Sequence, residues 1–192
     1  MKKKLKITLN APFTLVFALL CAIATLVCAL SADARRLLFS TWSASLSDPL
    51  MYLRLFTHIL GHSGLEHLVG NMMLVLLLGP ALEEKYGIKK LLVMILAVAL
   101  VTGILHNLLF PATALLGASG VVFAMILLTS FTGFREGEIP LTFILVAVLY
   151  LGQQIWLGIT VRDQISNLSH IAGGLVGAGT GWLLNREKPK RF

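Results

Sequence analysis

The chain has 192 residues, of which 57% are hydrophobic and 13% charged, with a formal net charge of +7 and a mean hydropathy of +0.86. A soluble domain of this size cannot hide so much apolar surface, so the composition excludes that class and indicates a multi-span helical membrane protein. The positive charge does not indicate a nucleic-acid partner, because Lys and Arg cluster at the ends of apolar segments, as membrane orientation requires.

Met1 to Asn10 is a basic tail carrying Lys2, Lys3, Lys4 and Lys6. The run from about 13 to 30 follows; it is long for a secretory signal and has no small-x-small cleavage site, so it is expected as the first span. Cys21 and Cys28 share a face of it, too far apart for a mutual disulfide, and are expected to be packing residues. Residues 31–56, with Arg35, Arg36, Trp42, Asp48, Pro49 and Tyr52 among Leu and Phe, are expected to form short helices lying in the interface. Further spans are expected over about 64–82, ended by Glu83-Glu84-Lys85 and Gly87, and over about 88–110, stopped by Pro111. A short fourth span covers about 118–131, with a polar turn over 132–138 behind it. The fifth, opened by Pro140, covers about 141–157, and the sixth covers about 167–184 after a loop at Arg162-Asp163-Gln164. A basic tail ends the chain, and there is no internal repeat or low-complexity segment.

Six spans place both termini on one side. With the N-terminus inside, twelve of the sixteen Lys and Arg lie inside, leaving Arg35, Arg36, Arg54 and Arg162 outside. That bias predicts N-in, C-in topology. Spans two, four and six then all run inward. His67 to Glu83, Ser119 to Arg135 and His170 to Arg186 are each sixteen residues, roughly 24 Å at about 1.5 Å per residue. Three segments thus deliver polar groups to one depth, several ångströms below the outer surface of a layer about 30 Å thick.

Polar groups in hydrocarbon are expensive, which makes this set a functional hypothesis. Gly173, Gly177 and Gly181 repeat every fourth residue, a small-residue ridge for close helix contact, and His170 lies near the same face. Gly117 and Gly120 flank Ser119 with equally little bulk, allowing a Ser–His hydrogen bond. Phe123, four residues after Ser119, is placed to pack against the imidazole. An imidazole base activates a serine hydroxyl, and the resulting oxyanion needs donors. His67 and Asn71, at i and i+4, project from one face of span two, and the Ser119 backbone N–H near a helix start supplies another donor. No Asp or Glu lies in spans four or six, so the expected unit is a dyad.

These residues resemble the motifs of the rhomboid family of intramembrane serine proteases, over nearly the whole chain. The G-x-S-G nucleophile motif stands as Gly117-Ala118-Ser119-Gly120, the span-two pattern as His62, His67 and Asn71, and the last-span motif as His170 with Gly173 and Gly177. Leu53-Arg54 stands where the family has Trp-Arg, Ser169 where Ala is usual, and Phe123 where Tyr is common. The resemblance implies an all-α, six-helix bundle with a cavity open to the outside, forming one membrane domain over residues 1–192. It implies Ser119 as nucleophile, His170 as general base, and His67, Asn71 and backbone amides as the oxyanion site. Ala118, Gly117, Gly120, Phe123, Gly173 and Gly177 support them, with no cofactor or metal. Substrates would be single-span membrane proteins in the lipid bilayer of a bacterial plasma membrane, with span five and its loop as gate; the oligomeric state is left open.

Two other classes compete. A metal or haem protein would draw ligands from His58, His62, His67, His106 and His170, but these do not share one depth and recruit no carboxylate or cysteine. A catalytically inactive adaptor would bind transmembrane helices through the same gate. His58, His62 and His106 are expected to be structural, and Arg54, Glu66 and Asn107 to be loop or interface partners.

Overall fold

The computed structural model describes residues 8–130, 141–142, 144–146, 148–149, 152, 156 and 164–186. The polar turn at 132–138, about half of the fifth expected span, Arg162, Asp163 and the outer parts of both basic tails lie outside the described residues. The named helices are α1 (Pro12–Leu30), α2 (Ala32–Phe39), α3 (Pro49–Thr57), α4 (Leu65–Tyr86), α5 (Ile88–Leu109), α6 (Ser119–Ser130) and α7 (Gln164–Arg186). The described part is all-helical apart from one isolated bridge, Thr41 with Leu115.

Local chemistry sets most of the helix ends. Pro12 and Pro49 occupy first-turn positions, where the missing N–H costs nothing. Ser31 closes α1 through its N–H to Val27 and opens α2 by accepting from the Ala34 N–H at 3.1 Å. Asp48 caps α3 the same way, accepting from Leu50 at 3.0 Å. Gly87 alone joins α4 to α5 with φ +79°, and nothing lies within 4 Å of where a Cβ would stand, so backbone conformation selects glycine there.

Two short helices occupy the first loop, and α4 runs one turn past Leu82, taking Glu83, Glu84 and Lys85 into the helix. Glu83 is not a surface charge at a helix end. It is buried, and its carboxylate accepts from Phe13 N at 3.0 Å, Thr14 N at 2.9 Å and Thr14 Oγ1 at 2.8 Å. A carboxylate from one helix thereby satisfies first-turn amides of another. The same crossing seats Thr14 on Gly79, where a Cβ would stand 2.7 Å from Thr14 Oγ1.

A core of Cys21, Val75, Leu82, Leu91, Val98, Val121 and Leu128 joins α1, α4, α5 and α6. Leu19, Leu26, Met73, Leu77 and Val93 stay exposed on the outer faces, the arrangement for hydrocarbon rather than water. α1, α4 and α5 are long and apolar enough to cross a membrane. The described part of α6, twelve residues, spans about 18 Å. α7, at 23 residues, has the length, with hydropathy diluted by its glycines and its Asn, Ser and His. α6 packs against α7 and α4, and α7 also against α5.

Candidate active site

Ser119 is the first residue of α6, and the segment before it is held from three sides. Thr41 and Leu115 exchange two backbone hydrogen bonds of 2.9 Å. The Gly117 N–H donates to the His58 carbonyl at 2.9 Å, and the Ala118 N–H donates to His62 Nε2 at 3.4 Å. The chain thus enters α6 with its first amides already used, while the N–H of Ser119, at the helix start, has no partner within its own helix.

Gly117 is required twice over. Its φ of +129° lies outside what L side chains readily adopt, and a Cβ would stand 2.7 Å from His67 Cε1 and 2.9 Å from Nε2. The Cε1–Nε2 edge of the His67 imidazole therefore lies against the turn that carries Ser119. Its Nδ1 is 3.1 Å from Ser63 Oγ, and its ring meets that of His62 edge-on with centroids 5.0 Å apart. Asn71, buried one turn further along α4, donates to the His67 carbonyl at 3.1 Å and keeps a second amide hydrogen beyond that bond.

On the other side α7 meets α6 backbone to backbone. A Cβ on Gly173 would stand 2.8 Å from Gly120 Cα, and one on Gly177 would stand 2.5 Å from Ala124 Cα. The four-residue repeat on α7 is thus matched by a four-residue repeat on α6. Gly120 in turn faces the Ser169 carbonyl, with a Cβ there at 3.4 Å. His170 stacks on Phe123 with centroids 4.2 Å apart and planes 10° from parallel. Ser119 accordingly begins α6 between a turn lying on His67 and a helix face lying on Ser169 and His170.

His58 and His62 anchor this turn. The Leu60 carbonyl, 3.1 Å from His62 Nδ1, can only accept, and the Ala118 N–H can only donate to Nε2. His62 is therefore the neutral Nδ1–H tautomer. Burial, the facing His67 ring and the Leu60 bond together set its pKa, the first two outweighing the third and bringing it down to about 4. His58, fully buried between the Arg54 carbonyl and Thr102, is likewise pushed down to about 4, chiefly by burial. His106 Nε2 lies 3.2 Å from the Thr113 carbonyl, which bends the loop after α5 back onto the helix.

Arg54, expected as a loop or interface partner, is 1% exposed. It pairs with Asp48 at 2.7 Å and lies over the Trp42 ring at 3.9 Å, so an indole covers this guanidinium although Leu53 supplies none. Asn107 is buried and accepts from Thr41 Oγ1 at 3.1 Å, while Glu66 stays exposed in the first turn of α4. Cys21 and Cys28 are free and buried. Among the described residues no three His, Cys, Asp or Glu side chains converge into a metal-sized group.

The Rhomboid domain model matches residues 49–187. The chain is 29% identical over 188 residues to the rhomboid protease GlpG of Salmonella typhi, and equally to those of Salmonella newport and Salmonella heidelberg. Each match covers 92% of this chain and 65% of the relative, so the chain spans slightly under two thirds of the length of these proteins.

Proposed function

Since the chain belongs to the rhomboid family and is an integral membrane protein, we propose that it is an intramembrane serine endopeptidase that cuts single-span membrane proteins with a Ser119–His170 dyad. The observation that carries this reading is the stacking of His170 on Phe123 at 4.2 Å, one turn along α6 from Ser119. A serine at a helix start, beside an imidazole on the neighbouring helix, is the arrangement a serine hydrolase needs.

In this mechanism neutral His170 accepts the Ser119 proton as Oγ attacks the scissile carbonyl, and returns it to the leaving amine. The Ser119 N–H, the His67 ring N–H and the free amide hydrogen of Asn71 stabilise the oxyanion. Water then attacks the acyl-enzyme with His170 again as base. Phe123 holds the imidazole plane, and Gly117 lets the turn lie against His67. The remaining features of the reading are six spans with both termini inside, α2 and α3 in the outer interface, and residence in a bacterial plasma membrane. The bonds from Phe13 and Thr14 to Glu83 support the part of this topology that sets the start of α1 on the same side as the end of α4.

The test is cleavage of a generic single-span substrate by purified protein in liposomes, beside Ser119→Ala and His170→Ala. Both variants should fold and lose turnover entirely. Cleavage by either pure variant defeats the dyad, and an inert wild-type protein that still captures the substrate points to a non-catalytic adaptor.

A further inference from the structure

The oxyanion role assigned above to His67 demands a particular tautomer, and its surroundings state which group sets it. The two ring nitrogens face different partners. Nε2 and Cε1 lie against Gly117, at 2.9 and 2.7 Å from the position of an added Cβ, whereas Nδ1 is 3.8 Å from it. Nδ1 instead points to Ser63 Oγ at 3.1 Å. An oxyanion near Ser119 can be served only by the Nε2 edge, and only if Nε2 carries the proton. Nδ1 then holds a lone pair and needs a donor. His62, the other polar ring in contact, cannot give one: its Nδ1–H goes to Leu60 and its Nε2 accepts from Ala118.

We infer that Ser63 is a positioning residue, whose hydroxyl donates to His67 Nδ1, fixes the Nε2–H tautomer and holds the ring edge toward the Ser119 turn. The inference rests on the protease reading for its functional consequence but not for its structural one. Ser63 suits the task because it is exposed in the short turn before α4, four residues ahead of His67. Among the described residues its side chain bonds only His67, and its removal takes no apolar contact from the core. Outer-shell hydrogen bonds that fix an imidazole's tautomer and orientation are a general device for tuning the nitrogen on its far side.

The experiment combines nitrogen-15 spectroscopy of the histidine rings, with His67 assigned by its loss in His67→Ala, and steady-state cleavage. The wild type should show His67 protonated at Nε2 alone. Ser63→Ala should give a mixed or mobile ring signal, a fall in kcat of about fivefold to tenfold with KM within twofold, and a matching drop in the rate at which a fluorophosphonate labels Ser119. Ser63→Thr, which keeps the hydroxyl, should restore both spectrum and rate to within about threefold. A wild-type His67 protonated at Nδ1 overturns the inference, as does a Ser63→Ala protein with unchanged spectrum or unchanged kcat. Turnover by Ser119→Ala would defeat the protease reading instead, and the ring spectrum would still decide what Ser63 does to His67.

Discussion

Adding one methyl group at Gly173 tests whether the α6–α7 crossing positions the site. In Gly173→Ala the new Cβ would stand 2.7 Å from the Gly120 carbonyl carbon and 2.8 Å from its Cα. The Gly120 carbonyl oxygen would lie nearer still, and ordinary contact begins near 3.4 Å, so the shortfall exceeds 0.7 Å, against backbone that has no rotamer to yield. The helices must therefore separate by most of an ångström, three residues from His170. Overpacking of this kind costs about 1–3 kcal/mol. A misplacement of about 1 Å between reacting groups costs on the order of 10²-fold in rate. Cleavage and thermal unfolding in detergent should therefore both fall in Gly173→Ala. Gly174→Ala meets only the flexible end of Leu127, at 3.2 Å, and should lose less. Gly179→Ala meets nothing within 4 Å and should keep full activity, with unfolding unchanged or raised by the better helix former. Equal activity across the three variants would refute the claim that this crossing sets the catalytic geometry.

The helices and the polar set were legible in the sequence because both rest on local pattern. Apolar runs bounded by charge and Pro or Gly gave α1, α4, α5, α6 and α7 to within a few residues, save that α4 continues through its boundary charges. The small-residue spacing of α7 implied its close approach, and the stack of Phe123 on His170 agrees with that facing. What was not legible depends on crossings between distant segments. Glu83 reads as a boundary charge because nothing near it in sequence shows that Thr14 comes down beside it. His62 reads only as structural, with no sign that it anchors the Ser119 turn, because its partner amide, at Ala118, is 56 residues away. Trp42 and Arg54 meet because the first loop folds back on itself, and no periodicity encodes that. Ser63 had one signal, its i, i+4 relation to His67, but an exposed serine beside a helix start is common enough to pass unremarked.

Three further outcomes follow from these contacts. His67→Ala and Asn71→Ala should each slow cleavage by about 10²–10³-fold without abolishing it, as loss of one oxyanion donor does; wild-type rates in both would reduce these residues to packing. Glu83→Gln replaces an acceptor with an amide hydrogen facing the Thr14 N–H, so unfolding in detergent should cost about 2–3 kcal/mol less than for the wild type, and an unchanged melting profile would deny the carboxylate its anchoring role. The last concerns pH. His58 and His62 are held down to about 4 by burial, whereas an unfolded imidazole titrates near 6.5. Between those values the unfolded chain binds more protons than the folded one, so stability is full above about pH 6.5 and falls as the pH drops toward 4. The loss between pH 6.5 and 5 is about 1–2 kcal/mol for each imidazole, in a range where ordinary carboxylates remain largely ionised. Protonation of His62 would also set N–H against N–H at Ala118, loosening the turn that presents Ser119. Thermal unfolding in detergent at pH 7, 6 and 5 should show the midpoint falling steadily, and a flat midpoint across that range would mean that neither imidazole is kept neutral by the fold.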